Sequence, residues 1–117
     1  MTLYQSSSLQ GTRLRIFLGE AEQWQGKPLY QVIVEQAQQQ GLLGATVVRG
    51  IEGFGPEHLL SSDRLLDISD NLPMIVEIVD REEQIEAFLP LLDRLVERGM
   101  MTSTPVEIIW KGDARGQ

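Results

Sequence analysis

Four stretches of strand character and two of helical spacing follow in the order strand, helix, strand, strand, helix, strand, and that order leaves few architectures open. The clearest strand is residues 12–18 (TRLRIFL). Leu14, Ile16 and Leu18 alternate there with Arg13, Arg15 and Phe17, a period of two that puts one row on each face of a sheet. Residues 74–79 (MIVEIV) and 106–111 (VEIIWK) read the same way, and residues 45–51 (ATVVRGI) are β-branched enough for the second strand in chain order. Residues 19–27 form a polar turn, and Pro28 opens the first helix, where its missing N–H has no partner to lose. Leu29, Val32, Ile33 and Ala37 keep helical spacing up to Gly41, a natural stop. Asp80 and Glu83 form a capping pair for the second helix, whose apolar stripe is Ile85, Phe88, Leu89, Leu92, Leu95 and Val96. Pro90 should kink that helix and Gly99 ends it, leaving a Thr/Ser/Pro linker before the last strand. Two such halves fit an α+β ferredoxin-like βαββαβ domain: a four-stranded antiparallel sheet with both helices on one face.

A chain of 117 residues supports one modest core. Residues 1–11, polar and Ser-rich, read as a disordered tail, residues 12–112 as the domain and residues 113–117 as a second tail. The absence of cysteine removes disulfides, thiolate nucleophiles and sulfur-ligated metals together. With no basic-then-apolar leader pattern and no apolar run of spanning length, the expectation is a cytoplasmic protein without a membrane span. A net charge of −7 repels phosphate backbones, so nucleic acid is not an expected partner, although one basic pocket for a small anion is compatible with it.

The strand phases predict which face meets the helices. Leu14/Ile16/Leu18, Met74/Val76/Ile78 and Val106/Ile108/Trp110 are assigned beneath them. The opposite phase carries Arg15 beside Phe17, Arg49 between Val47 and Ile51, Glu77 between Ile75 and Val79, and Glu107 beside Ile109. A solvated face would be mostly polar, whereas this one mixes Phe, Val and Ile with charges of both signs, as a self-association surface would. The alternative is an ordinary surface with scattered apolar residues.

After the second strand, Gly50, Gly53 and Gly55 lead into a polar segment running to Asn71, in which residues 64–68 can extend a strand. Glycines there admit φ > 0 and let a ligand approach backbone N–H groups, or they simply make a tight turn. A connection this long in a small domain points to recognition. Arg49 either anchors an anion or pairs within the sheet, and Lys27 at a helix start divides the same way. Trp24 either packs on the first helix or stacks on a base. His58, the only histidine, has no metal-ligand spacing to Glu52, Glu57 or Asp63, and Glu20/Glu22 read as solvated surface. No catalytic constellation is present in the sequence, so the expectation is a protein that is not an enzyme and holds no metal.

Three stretches carry a family resemblance. Residues 14–20 (LRIFLGE) with Trp24 and residues 26–30 (GKPLY), residues 44–55 (GATVVRGIEGFG), and residues 72–80 (LPMIVEIVD) together resemble the PII-like domain-of-unknown-function 190 family, from residue 12 to residue 111. The resemblance implies a ferredoxin-like fold and a homotrimer whose sheets line the centre. It also implies a candidate adenine nucleotide ligand in clefts between subunits, and a loop after the second strand that contacts a target such as a membrane transporter or channel. Gly53-Phe54-Gly55 stands where the Gly-Phe-Gly of PII proteins opens that loop, so Arg49, Gly50, Gly53, Phe54, Gly55 and Lys27 are the candidate ligand-binding residues, and Glu57, His58 and Arg64 the candidate partner-loop residues. Pro56-Glu57-His58 replaces the Arg-Gln-Lys that serves phosphate and 2-oxoglutarate in PII proteins, and residues 99–104 (GMMTST) occupy the place of their Gly-Asp-Gly-Lys. Two other readings stay open: a ligand-free interaction trimer, and a small metal-binding or catalytic domain using His58.

Overall fold

The computed structural model describes residues 8–54 and 71–111. Its first element, β1 (Ser8–Gly19), begins inside what the sequence suggested was tail: residues 8–11 are strand, paired with the end of the last strand. A hairpin of two short strands, β2 (Gln23–Trp24) and β3 (Lys27–Pro28), replaces the expected polar turn. Gln25 and Gly26 at its tip have φ of 51° and 84°, the two positive values that a tight two-residue hairpin turn requires. Helix α1 (Leu29–Gln39) follows directly, and Gly41 leaves it at φ 78°. Then come β4 (Gly44–Arg49), β5 (Pro73–Asp80), α2 (Glu82–Leu95) and β6 (Met100–Ile109). The strand order β4-β5-β1-β6, with every neighbouring pair antiparallel, is the ferredoxin-like arrangement.

The core lies between the sheet and the two helices. Leu14, Ile16, Leu18, Val76 and Ile78 from the strands meet Leu29, Val32, Ile33 and Ala37 of α1 and Ile85, Phe88, Leu92 and Leu95 of α2. Ile16, Ile33, Val76, Ile78 and Leu92 are the largest fully buried side chains, where truncation to alanine costs about 2–5 kcal/mol. Leu89 departs from the expected stripe: it is 38% exposed, at the edge of α2 that faces β6. The expected cap also differs. Asp80 is 4% exposed and belongs to β5; its carboxylate accepts from the Leu43 N–H at 3.0 Å and the Arg81 N–H at 2.6 Å, fastening the start of β4 to the end of β5. Glu82 and Glu83 occupy the first turn of α2 and Arg94 the last, each with the sign that suits the helix dipole.

The pairing register corrects the expected faces of two strands. On β4, Ala45, Val47 and Arg49 sit opposite Ile78, Val76 and Met74, so Val47 and Arg49 lie on the helix side; Thr46 and Val48 take the other face. On β6, Val106 and Ile108 sit opposite Gly11 and Leu9 and so share the open face with Arg13, while Glu107 and Ile109 take the helix side. The strand starts at Met100, so the expected linker is sheet, and Pro105 is admitted because β6 is an edge. Trp110 lies just past the strand, half-buried.

Across the open face the corrected register draws ordered rows. Val48, Ile75, Phe17 and Met100 form one apolar row, and Thr46, Glu77, Arg15 and Thr102 form a polar row beside it. Val79, Arg13 and Thr104 come next, and Gly11/Val106 and Leu9/Ile108 close the face with a second apolar band. Gly11 leaves no room for a side chain, since a Cβ on it would stand 2.8 Å from the Asp80 carbonyl oxygen and would also press on the Ile108 side chain. No helix among the described residues covers this face, and none is long and apolar enough to cross a membrane.

Candidate functional site

The long connection leaves the sheet at Gly50 and returns at Pro73, and a set of short hydrogen bonds gathers both ends into a neck against the turn after β1. The Gly50 N–H donates to the Pro73 carbonyl at 2.7 Å, and the Glu20 N–H to the Leu72 carbonyl at 2.8 Å. The Asn71 Oδ1 accepts from the Ala21 N–H at 2.7 Å, and the Glu22 carboxylate from the Gly19 N–H at 2.8 Å. Glycine is needed at both contact points: a Cβ on Gly50 would lie 2.8 Å from the Pro73 ring, and one on Gly19 would lie 2.7 Å from the Asn71 side chain. Gly53, with φ at 148°, continues the strand exit in a conformation that L side chains rarely adopt.

Of the residues singled out from sequence, Arg49, Gly50, Gly53 and Phe54 are placed at this neck or just past it. The Arg49 guanidinium pairs with the Glu20 carboxylate at 2.5 Å, which spans β4 and the turn after β1. Phe54 is 61% exposed and Ile51 is 92% exposed, so the outgoing chain presents apolar surface to solvent. Lys27 stands apart on the hairpin, its Nζ 2.8 Å from the Glu35 Oε1 on α1. Hydrogen bonds from Lys27 and Gln31 hold the Glu35 carboxyl below its ordinary pKa. Gly55, Glu57, His58, Arg64 and the expected strand extension over residues 64–68 lie outside the described residues. Among the described residues no group of three or more His, Cys, Asp or Glu side chains is placed to hold a metal ion.

Three contributors escaped the sequence reading. Glu20 and Glu22 are structural members of the neck and not simply solvated surface, and Asn71 supplies a side-chain amide oxygen where the loop returns. No local sequence signal marks Asn71, because the backbone it bonds, at Ala21, is 50 residues away. Trp24 packs on the core, the first of its two expected roles, and it also lines a cleft of about 280 Å³ with Glu22, Glu97 and Arg98. A second cleft of about 380 Å³ opens between α2 and β6, lined by Ile85, Leu89 and Met101 under the carboxylates of Glu82 and Glu86.

The open face carries the other charged feature. The Arg15 Nε lies 2.8 Å from the Glu77 Oε2, and the Arg13 Nε lies 3.8 Å from the same oxygen. One carboxylate thus serves two guanidiniums, and the Arg13 Nε is shut off from solvent without a hydrogen-bond partner.

Comparison with known proteins agrees with this architecture. The UPF0166 protein of Aquifex aeolicus (strain VF5) is 40% identical over 97 residues, covering 83% of this chain and 91% of that one. The UPF0166 protein MJ1524 of Methanocaldococcus jannaschii is 35% identical over 101 residues, covering 86% and 92%. Among solved structures, CPII from Thiomonas intermedia K12, bound to ADP, AMP and acetate, superposes with a TM-score of 0.58 at 16% identity, over 91% of this chain and 93% of that one; the likeness is one of fold. Residues 11–108 match the family DUF190, described as Uncharacterized ACR. With the βαββαβ sheet, the glycine-marked neck and these relatives together, the chain belongs to the DUF190 family and has the PII-like fold.

Proposed function

We propose that this protein is a homotrimeric PII-like regulator that binds an adenine nucleotide in clefts between subunits and signals through the connection after β4, without catalysis. The observation that carries the reading is the neck. Gly50 and Gly53 bring bare backbone to the surface where both ends of that connection are pinned, so a ligand seated there would bear on the whole segment. The fold shared with CPII, whose structure holds ADP, AMP and acetate, supplies the class of ligand. Arg49 directly precedes Gly50, and a phosphate would compete with Glu20 for it. The candidate target is another protein met by the loop, a membrane transporter or channel being the kind that the PII resemblance implies.

Titration calorimetry and thermal shift with AMP, ADP, ATP and cyclic AMP test the ligand, and light scattering coupled to size exclusion tests the trimer. The expected result is saturable binding of at least one nucleotide, one per subunit, weakened by Gly53→Val and by Arg49→Ala. A trimer that gives neither heat nor thermal shift with any of the four would refute nucleotide sensing. That outcome would favour the second reading, a ligand-free interaction trimer, to which one observation already points: Arg49 and Lys27 are both occupied by carboxylates of the same chain.

A further inference from the structure

From the charge count on the open face of the sheet, we infer that the assembled protein holds a multivalent oxyanion at the centre of that face, bound by Arg13 and Arg15 of each subunit. The inference rests on the trimer proposed above, with copies meeting through this face. By the pairing register the described side chains that share it are Leu9, Phe17, Val48, Ile75, Val79, Met100, Val106 and Ile108, with Thr46, Thr102 and Thr104, and only three are charged: Arg13, Arg15 and Glu77. Each subunit therefore brings two guanidiniums and one carboxylate, so three subunits bring six and three, an excess of three positive charges. Glu107, the remaining acid of these strands outside β5's Asp80, lies on the helix side and cannot offset it.

The Arg13 Nε is already out of solvent and without an acceptor in one subunit, while its best contact, at 3.8 Å, is to an oxygen that Arg15 holds at 2.8 Å. Closing the apolar rows of a second and third copy over this row removes the water that now serves the rest of the guanidinium. An unpaired buried charge is far costlier than an unpaired neutral group, so burial demands an acceptor. A neutral ligand leaves the excess standing, and a halide offers no geometry for planar forks. A phosphate, sulfate or polycarboxylate matches both the charge and the bidentate geometry of guanidinium, with the hydroxyls of Thr102 and Thr104, directly opposite Arg15 and Arg13, as further donors.

The test is thermal unfolding and light scattering of the full chain, dialysed into chloride and titrated with inorganic phosphate, sulfate or citrate at matched ionic strength. The expected result is a saturable rise in Tm with one or more of these oxyanions, at unchanged trimer mass, and an apparent affinity at least about tenfold weaker in Arg13→Met, as the loss of a charge-assisted bond implies. The same variant should keep its nucleotide titration, since Arg13 is remote in sequence and face from the neck. A trimer whose Tm is indifferent to all three anions overturns the oxyanion and leaves the trimer standing. A monomer under every condition overturns both. If Arg13→Met does not fold, Arg13→Lys replaces it: it keeps the charge but loses the fork, and an unchanged affinity there counts against bidentate binding.

Discussion

Replacing Glu77 by glutamine preserves the shape of the side chain and removes the one negative charge on the open face of the sheet. In an isolated subunit the three side chains concerned are 31–41% exposed, and water screens their pairing. An exposed ion pair of that kind contributes about 0.2–1 kcal/mol, so Glu77→Gln in a monomer should lower stability by no more than that. In an assembly that buries the face, the same change leaves two guanidiniums per subunit without any counter-charge from their own chain. Removing one partner of a buried pair costs about 3–5 kcal/mol, and three subunits make roughly 9 kcal/mol at the lower end. At 1.4 kcal/mol per factor of ten, the trimerisation constant should fall by about six orders of magnitude. Analytical ultracentrifugation over a dilution series reads this directly: if the wild type is the proposed trimer, the variant should dissociate at concentrations where the wild type stays assembled. Glu107→Gln is the matched control, because Glu107 is an exposed carboxylate on the opposite side of the same sheet and should leave the trimer unmoved. If Glu77→Gln and wild type dissociate at the same concentration, the open face is not buried and the argument from strand register to assembly fails. A double-mutant cycle with Arg15→Gln would then show whether the 2.8 Å pair carries any coupling at all.

Four further outcomes follow from the contacts described. Gly50→Ala puts a methyl 2.8 Å from the Pro73 ring and should destabilise by about 1–3 kcal/mol, read as a lower denaturant midpoint at unchanged m-value. Asp80→Ala strands the Leu43 N–H and should cost about 1–3 kcal/mol in the same assay, while Asp80→Asn, which keeps an acceptor oxygen, should recover part of that loss. Pro90→Ala restores a backbone N–H inside α2 at an exposed position and should raise Tm; an unchanged or lower Tm would mean that the helix is adapted to the proline. The Glu35 carboxyl, followed by NMR, should titrate below the ordinary glutamate range and move back up in Lys27→Met. Because its folded pKa is depressed, the small stability it contributes is present above the unfolded pKa and is lost as pH falls through the folded one.

The architecture was legible wherever one face of an element is buried and the other is wet. Leu14, Ile16 and Leu18, or Ile85, Phe88 and Leu92, announce both their element and its inward side, because burial selects one phase. Legibility failed where that selection is absent. Val47 and Val48 are adjacent and both apolar, so β4 has no phase of its own and takes one only from hydrogen bonding to β5. The first half of β6 is Met-Met-Thr-Ser-Thr-Pro, a run that resembles a linker because no helix covers it and an edge strand can admit proline. Val106 and Ile108 suggest an inward phase by their chemistry, yet they face outward because pairing to Gly11 and Leu9 of β1 sets their side of the sheet. At the neck, glycines could be found from sequence, but Glu20 and Asn71 act through groups distant in the chain, and pairwise proximity of that kind leaves no periodic trace; Glu22 bonds only three residues back, to the Gly19 N–H, a local contact without a motif of its own.

The neck also bears on how such a chain can vary. Because the Gly50–Pro73 and Glu20–Leu72 bonds fix the distance between the two ends, the sheet is insulated from whatever lies between residues 51 and 71. Lengthening a closed segment is thermodynamically cheap, since each doubling adds only about 0.6 kcal/mol of closure entropy. A fixed socket of this kind implies that a binding sequence grafted between residues 54 and 71 should leave the register of β4, β5 and β1 intact.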